Sequence, residues 1–136
     1  WFDSWITNVD RTFRNTNLLI WNRELWLIDH GASFLFHHTW ENWESQALSP
    51  FAMIKDHVLL PKASLLAKVD MDMKSLITLS MIEEVISEVP DEWLLASRDV
   101  ETADEARAVY VAFLTKRLDN SHVFLNQAED ARKALV

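Results

Sequence analysis

Asn8-Val9-Asp10-Arg11-Thr12-Phe13-Arg14-Asn15 opens a stretch that closes, after a short apolar segment, on Ile28-Asp29-His30-Gly31. Between them, Leu18 to Trp21 and Leu25 to Ile28 are apolar runs of strand length on either side of Asn22-Arg23. The pattern predicts an antiparallel hairpin with a tight turn. Folding the chain there sets Asn17 opposite Ile28, so Asn15 and Asp29 come within about two residues of facing each other. Facing residues of an antiparallel pair lie about 4.5–5.5 Å apart at Cα. Two oxygen-bearing side chains at the open end of one hairpin can therefore share a hard cation.

The polar residues stand in a wider pattern. Ile6-Thr7-Asn8-Val9-Asp10-Arg11-Thr12, Arg14-Asn15-Thr16-Asn17 and Leu27-Ile28-Asp29-His30-Gly31-Ala32 lie within Phe2 to His38. This stretch resembles the HipA-like kinases, bacterial proteins with a protein-kinase-like fold. The resemblance implies transfer of the ATP γ-phosphoryl group to a hydroxyl, of a protein Ser or Thr. It implies Asp10 as the catalytic base or substrate-orienting carboxylate, Asn15 and Asp29 as ligands of Mg²⁺, and ATP as the nucleotide. Asn17 is a neighbouring amide able to contribute, and Arg11 or Arg14 is expected to offset charge on the transferring group. His30 stands where protein kinases carry Phe in an Asp-Phe-Gly motif. That position packs rather than ligates, so the metal assignment carries over while an activation switch does not. The specific match covers about the first third of the chain, and the remainder fits as a helical continuation.

Gly31 is the single glycine. A phosphate-cradling loop needs several glycines to bring backbone N–H groups against phosphate, and no strand-borne Lys precedes Asp10. The chain also opens at Trp1 without an initiator Met. The expectation is one domain, residues 1–136, forming the helical kinase-like C-terminal lobe with one small β-hairpin, mainly α in class. Residues 1–38 would supply the catalytic loop and metal-binding hairpin, and 39–136 the helical body. Its partners would be a missing N-terminal lobe, the nucleotide and a protein substrate. The fragment alone would have negligible activity, and its uncovered lobe interface would favour self-association.

A share of 49% apolar and 25% charged residues fits a globular helix-rich domain. The net charge of −8 disfavours binding to nucleic acid or an anionic membrane. The absence of cysteine removes disulfides and thiolate zinc sites and suits a cytoplasmic home. No stretch reads as a membrane span or a signal peptide.

Beyond the hairpin the helices are read from caps and periodicity. Ser49-Pro50 predicts a helix start and Leu60-Pro61 its end, followed by a helical stretch from about Lys62 to Lys74. Ile82, Val85, Ile86 and Val89 are helically spaced, with Ser80 and Glu83 in capping-box register and Pro90 as the stop. Thr102 and Glu105 repeat that register before the stripe Ala106, Val109, Tyr110, Phe113 and Leu114. Asp119-Asn120-Ser121 breaks the chain ahead of a last helix facing inward through Phe124, Ala128, Ala131 and Leu135. Residues 32–49 are rich in aromatics at mixed spacing and give no clear element.

Other clusters read as structural. His30, His37, His38 and His57 include no pair at the four-residue spacing of a zinc helix. Asp70-Met71-Asp72 opens like a calcium loop, but Ser75 and Met81 stand where Gly and Glu are required, so it reads as a solvated helix face. Trp1, Trp5, Trp21, Trp26 and Trp40 are core residues or face the vacant lobe interface. Two alternatives remain: a small-molecule phosphotransferase of the aminoglycoside or choline kinase type, and a noncatalytic helical interaction module. The first usually carries a His just before its catalytic Asp, where this chain has Asn8 and Val9.

Overall fold

The computed structural model describes residues 1–95 and 100–135. A short helix, α1 (Phe2–Trp5), leads through a loop into a two-stranded antiparallel sheet, β1 (Leu18–Trp21) and β2 (Glu24–Leu27). A 3₁₀ turn at Leu35–His38, the helix α2 (Trp43–Ala47) and 3₁₀ turns at Ala52–Asp56 and Leu60–Lys62 follow. The body is completed by α3 (Leu66–Leu76), α4 (Leu79–Ser87), α5 (Asp91–Leu94), α6 (Ala103–Asp119) and α7 (His122–Lys133). The protein is mainly α with one small hairpin near its N-terminus, as expected. Among the described residues no helix is long and apolar enough to cross a membrane.

The hairpin has the predicted register. Leu18 faces Leu27 and Trp21 faces Glu24, and the Ile28 amide donates to the Asn17 carbonyl at 3.0 Å. Asn22 and Arg23 make the two-residue turn with φ of 49° and 68°. Both are left-handed, which is what a type I′ turn demands to match strand twist. Neither strand packs extensively on any helix, and Ile20 and Trp21 are 75% and 60% exposed. Trp21 and Trp26 therefore stand outside the core, whereas Trp5 is buried within it.

Helix α6 is the axis of the body, with α1, α2, α4 and α5 packed around it. Its start is the predicted capping box: Thr102 accepts from the Glu105 amide at 3.2 Å, and the Glu105 carboxylate accepts from the Thr102 amide at 3.1 Å. Ala106, Phe113 and Leu114 are buried along its inner stripe, with Phe34 and Trp40 edge-on to Tyr110 and Phe36 tilted against Phe113 at 4.3 Å. Three expectations are corrected. Helix α4 is capped by Thr78, which accepts from the Met81 amide, because Ser80 already lies inside the first turn. Pro50 starts no α-helix; Phe51 is left-handed at φ 55°, and a 3₁₀ turn follows. Asp70 is not solvated but buried, accepting from the Trp1 indole at 2.7 Å with Lys74 at 3.3 Å.

Arg117 is fully buried and, among the described residues, pairs with no carboxylate. Its guanidinium donates to the carbonyls of Ser4 and Trp5, which end α1, and to those of Gln46, Ala47 and Ser49 at the end of α2. Helix C-termini carry orphan carbonyls and partial negative charge, so one cation satisfies two of them. Phe113 and Phe124 flank it at 5.8 and 5.0 Å. Burial pushes its pKa down to about 10, which leaves it charged at neutral pH.

A second buried cation fixes the loop. Arg11 donates from Nε and Nη2 to Asp3 at 2.7 and 3.3 Å. Its Nη1 donates to the carbonyls of Asn17 and Ile28, the pair that closes the hairpin's open end. Asn8 Nδ2 and His57 Nε2 supply Asp3 with its other two donors, at 2.9 and 2.8 Å. Burial disfavours the Asp3 charge, but hydrogen bonds from His57, Arg11 and Asn8 outweigh it and hold the carboxyl well below the usual carboxylate range.

Two stability outcomes follow from these contacts. Thr102→Ala should lower unfolding free energy by about 1 kcal/mol, and Arg117→Met by about 3 kcal/mol or more, since five buried carbonyls lose a charged donor; urea denaturation measures both. Because the Asp3 pKa is depressed in the folded state, its contribution is complete above the unfolded value of about 3.9 and disappears as pH falls below it. Asp3→Asn should be less stable than the parent at pH 7 and lose stability less steeply on acidification. Parallel acid limbs for the two proteins would contradict this account.

Candidate phosphotransfer site

Asp10 lies on the loop between α1 and β1, and each part of that loop is tied down locally. The Asn8 side chain accepts from the Asp10 amide at 3.2 Å, making an Asx turn that presents Asp10 outward. Thr12 Oγ1 accepts from the amides of Arg14 and Asn15, and the Thr12 amide donates to the Asn15 carbonyl at 2.8 Å. This turn carries Asn15 back towards Asp10. On the far side, Val9 and Phe34 donate to the carbonyls of Ala32 and Ile6, so the chain after Asp29 runs beside the chain before Asp10.

The result is a compact polar cluster at the open end of the hairpin. Asn15 Nδ2 donates to Asp10 Oδ2 at 2.7 Å. Asn17 Nδ2 lies 3.3 Å from the same oxygen and 3.5 Å from the Asp29 carbonyl, and so bridges the two acidic residues. Asp29 is left-handed at φ 50°, and its Oδ1 accepts from the Gly31 amide at 3.4 Å. Of the residues singled out in the sequence, Asp10 and Asn15 are in direct contact, and Asp29 is linked to them through its main-chain carbonyl on Asn17. With its amide nitrogen turned to Asp10, Asn15 points its carbonyl oxygen away. That oxygen, Asp29 Oδ2 and Asp10 Oδ1 accept no protein hydrogen bond among the described residues.

Those oxygens suit a hard cation. Among the described residues no three His, Cys, Asp or Glu side chains gather as a metal cage. Mg²⁺ does not need one: it binds through one or two carboxylates and keeps several waters or phosphate oxygens. The donor set of one carboxylate, an amide oxygen and a neighbouring carboxylate fits that habit.

One side-chain role differs from the sequence expectation, that of Arg11. Arg11 is 1% exposed and spends its donors on Asp3 and two backbone carbonyls, so it offers no charge to a transferring group. Arg14, on the Thr12 turn, is exposed. His30 packs, its ring edge-on to Phe2 with centroids 5.9 Å apart.

Asn17, Asp3, Asn8 and His57 matter more to the site than their sequence context suggests. Asp3 carried one signal: an acidic residue inside Trp1-Phe2-Asp3-Ser4-Trp5-Ile6 is buried with its turn and must find donors. Nothing local marks His57 as its partner, because the contact spans 54 positions.

Neither curated proteins nor solved structures returned a match to the chain. The profile of the family described as HipA-like kinase matches residues 1–133, nearly the whole chain and not only the motif-bearing third. The protein belongs to the HipA-like kinase family.

Proposed function

We propose that this chain is the catalytic lobe of an ATP- and Mg²⁺-dependent phosphotransferase acting on a hydroxyl, of a protein Ser or Thr. The observation that supports the reading is the hydrogen-bonded chain from Asn15 through Asp10 and Asn17 to the Asp29 carbonyl at one end of the hairpin, which leaves Asp10 Oδ1, the Asn15 carbonyl oxygen and Asp29 Oδ2 with no protein donor among the described residues. In this reading Asn15 and Asp29 hold Mg²⁺, which when bound would neutralise charge on the nucleotide phosphates. Asp10 takes up or orients the proton of the attacking hydroxyl through Oδ1, while the amides of Asn15 and Asn17 hold its other oxygen still. Positioning of this kind is most of what phosphoryl transfer asks of a protein.

The nucleotide also needs a glycine-rich grip, which these 136 residues with one glycine do not supply. A second lobe carrying that grip would cover the hairpin, and the exposed Ile20, Trp21, Leu25 and Trp26 support such a partner or, without it, self-association. A cytoplasmic location fits ATP as the co-substrate and the absence of cysteine.

In a full-length protein, Asp10→Ala should cut phosphate transfer by at least about a hundredfold while nucleotide affinity stays near the parent value. Asp29→Ala should instead weaken Mg²⁺-dependent nucleotide binding, read by calorimetry with and without Mg²⁺. Normal turnover by both variants would refute the role assignments. Robust turnover by the isolated 136 residues would refute the need for a second lobe.

A further inference from the structure

The groups that hold the hairpin in place are themselves held from a remote part of the chain. His57 Nδ1 accepts from the Leu59 amide at 3.1 Å, which leaves the ring proton on Nε2, 2.8 Å from Asp3 Oδ2. The same segment pairs with the catalytic loop: Thr12 and His57 form an antiparallel bridge, and the Val58 amide donates to the Arg11 carbonyl at 3.0 Å. His57 is thus clamped at both ring nitrogens and along its backbone.

Each oxygen of Asp3 has two donors, and Oδ2 shares His57 with Arg11 Nε. Without His57 the carboxylate keeps Arg11 and Asn8 but loses one of the two donors on Oδ2, and with it a restraint on its rotation. The Arg11 guanidinium is a rigid plane. Its Nε and Nη2 rest on Asp3, and its Nη1 reaches Asn17 and Ile28, the residues flanking the cluster. A turn of Asp3 therefore tilts the whole plane and moves the donor under the hairpin. Since neither strand packs extensively on a helix, little else opposes that movement.

We infer that His57 is a positioning residue for the divalent-cation site: through Asp3 it sets the plane of Arg11, and so the distance between Asp29 and the Asp10–Asn15 pair. The inference rests on the phosphotransfer reading of those three residues and extends it to a residue outside the motif.

The test uses the 136-residue chain with Mn²⁺ as the probe, followed by water-proton relaxation, together with amide hydrogen exchange at Ile28. His57→Leu should weaken Mn²⁺ binding about tenfold or more and speed exchange at Ile28. His57→Gln, which keeps an N–H for Asp3, should recover most of both. Leu118→Ala removes a core side chain away from the network and serves as the control for simple destabilisation. It should lower Tm at least as much as His57→Leu while leaving Mn²⁺ affinity and Ile28 exchange unchanged. Unaltered Mn²⁺ affinity and Ile28 protection in His57→Leu would overturn the inference, as would equal losses in Leu118→Ala. Failure of the site reading itself has a different signature: no Mn²⁺ binding by the parent chain, or undiminished binding by Asp29→Asn. In that event Ile28 exchange alone decides whether His57 positions the hairpin.

Discussion

Arg11 joins three pieces of chain that nothing else joins as closely: α1 through Asp3, the loop through Asn17 and the end of β2 through Ile28. A two-stranded hairpin is marginally stable on its own, and this one lends little surface to the helical body. The buried guanidinium is therefore its principal tether. A buried ion pair contributes little net stability, because desolvation offsets most of the Coulomb gain; losing one partner nonetheless costs about 3–5 kcal/mol. Its value here is geometric. It ties the loop that carries Asp10 to the end of the strand that leads into Asp29.

Arg117 solves a different problem with the same chemistry. Its donors go to backbone carbonyls, so it neutralises the carbonyl ends of α1 and α2 and seats both on α6. The Ser4 and Trp5 carbonyls it holds lie one and two residues from Asp3. The two buried guanidiniums thus grip α1 from opposite concerns, one towards the body and one towards the site. Polar groups at this depth are costly unless every donor is used, and both arginines distribute their N–H groups over several acceptors.

Scarcity of glycine shapes the site as well. Asn17, Asp29 and Phe34 take left-handed backbone near the cluster, and Thr7 does so just before it. Such φ values cost an L-residue about 1–2 kcal/mol, least for Asn and Asp, whose side chains can bond locally. Gly31, by contrast, is not left-handed. The strain falls on the residues that carry the polar side chains, where surrounding hydrogen bonds hold it in place.

The sequence by itself determined the hairpin and its register, because two apolar runs of strand length flank Asn22-Arg23 and permit one tight turn. It also determined α6, whose cap and stripe agree with each other, and the inward face of α7 through Phe124 and Ala128, although Leu135 lies beyond that helix and is exposed. Helix α2 and the 3₁₀ turns through 51–62 were not legible, since short aromatic segments are shaped by what they pack against rather than by period. Only the tertiary structure decided the fates of Asp3, Arg11, Asp70 and His57, which look like surface polar residues in one dimension. Their burial depends on donors and acceptors that lie as far as 69 positions apart, as for Trp1 and Asp70, and a linear pattern holds no record of such a meeting.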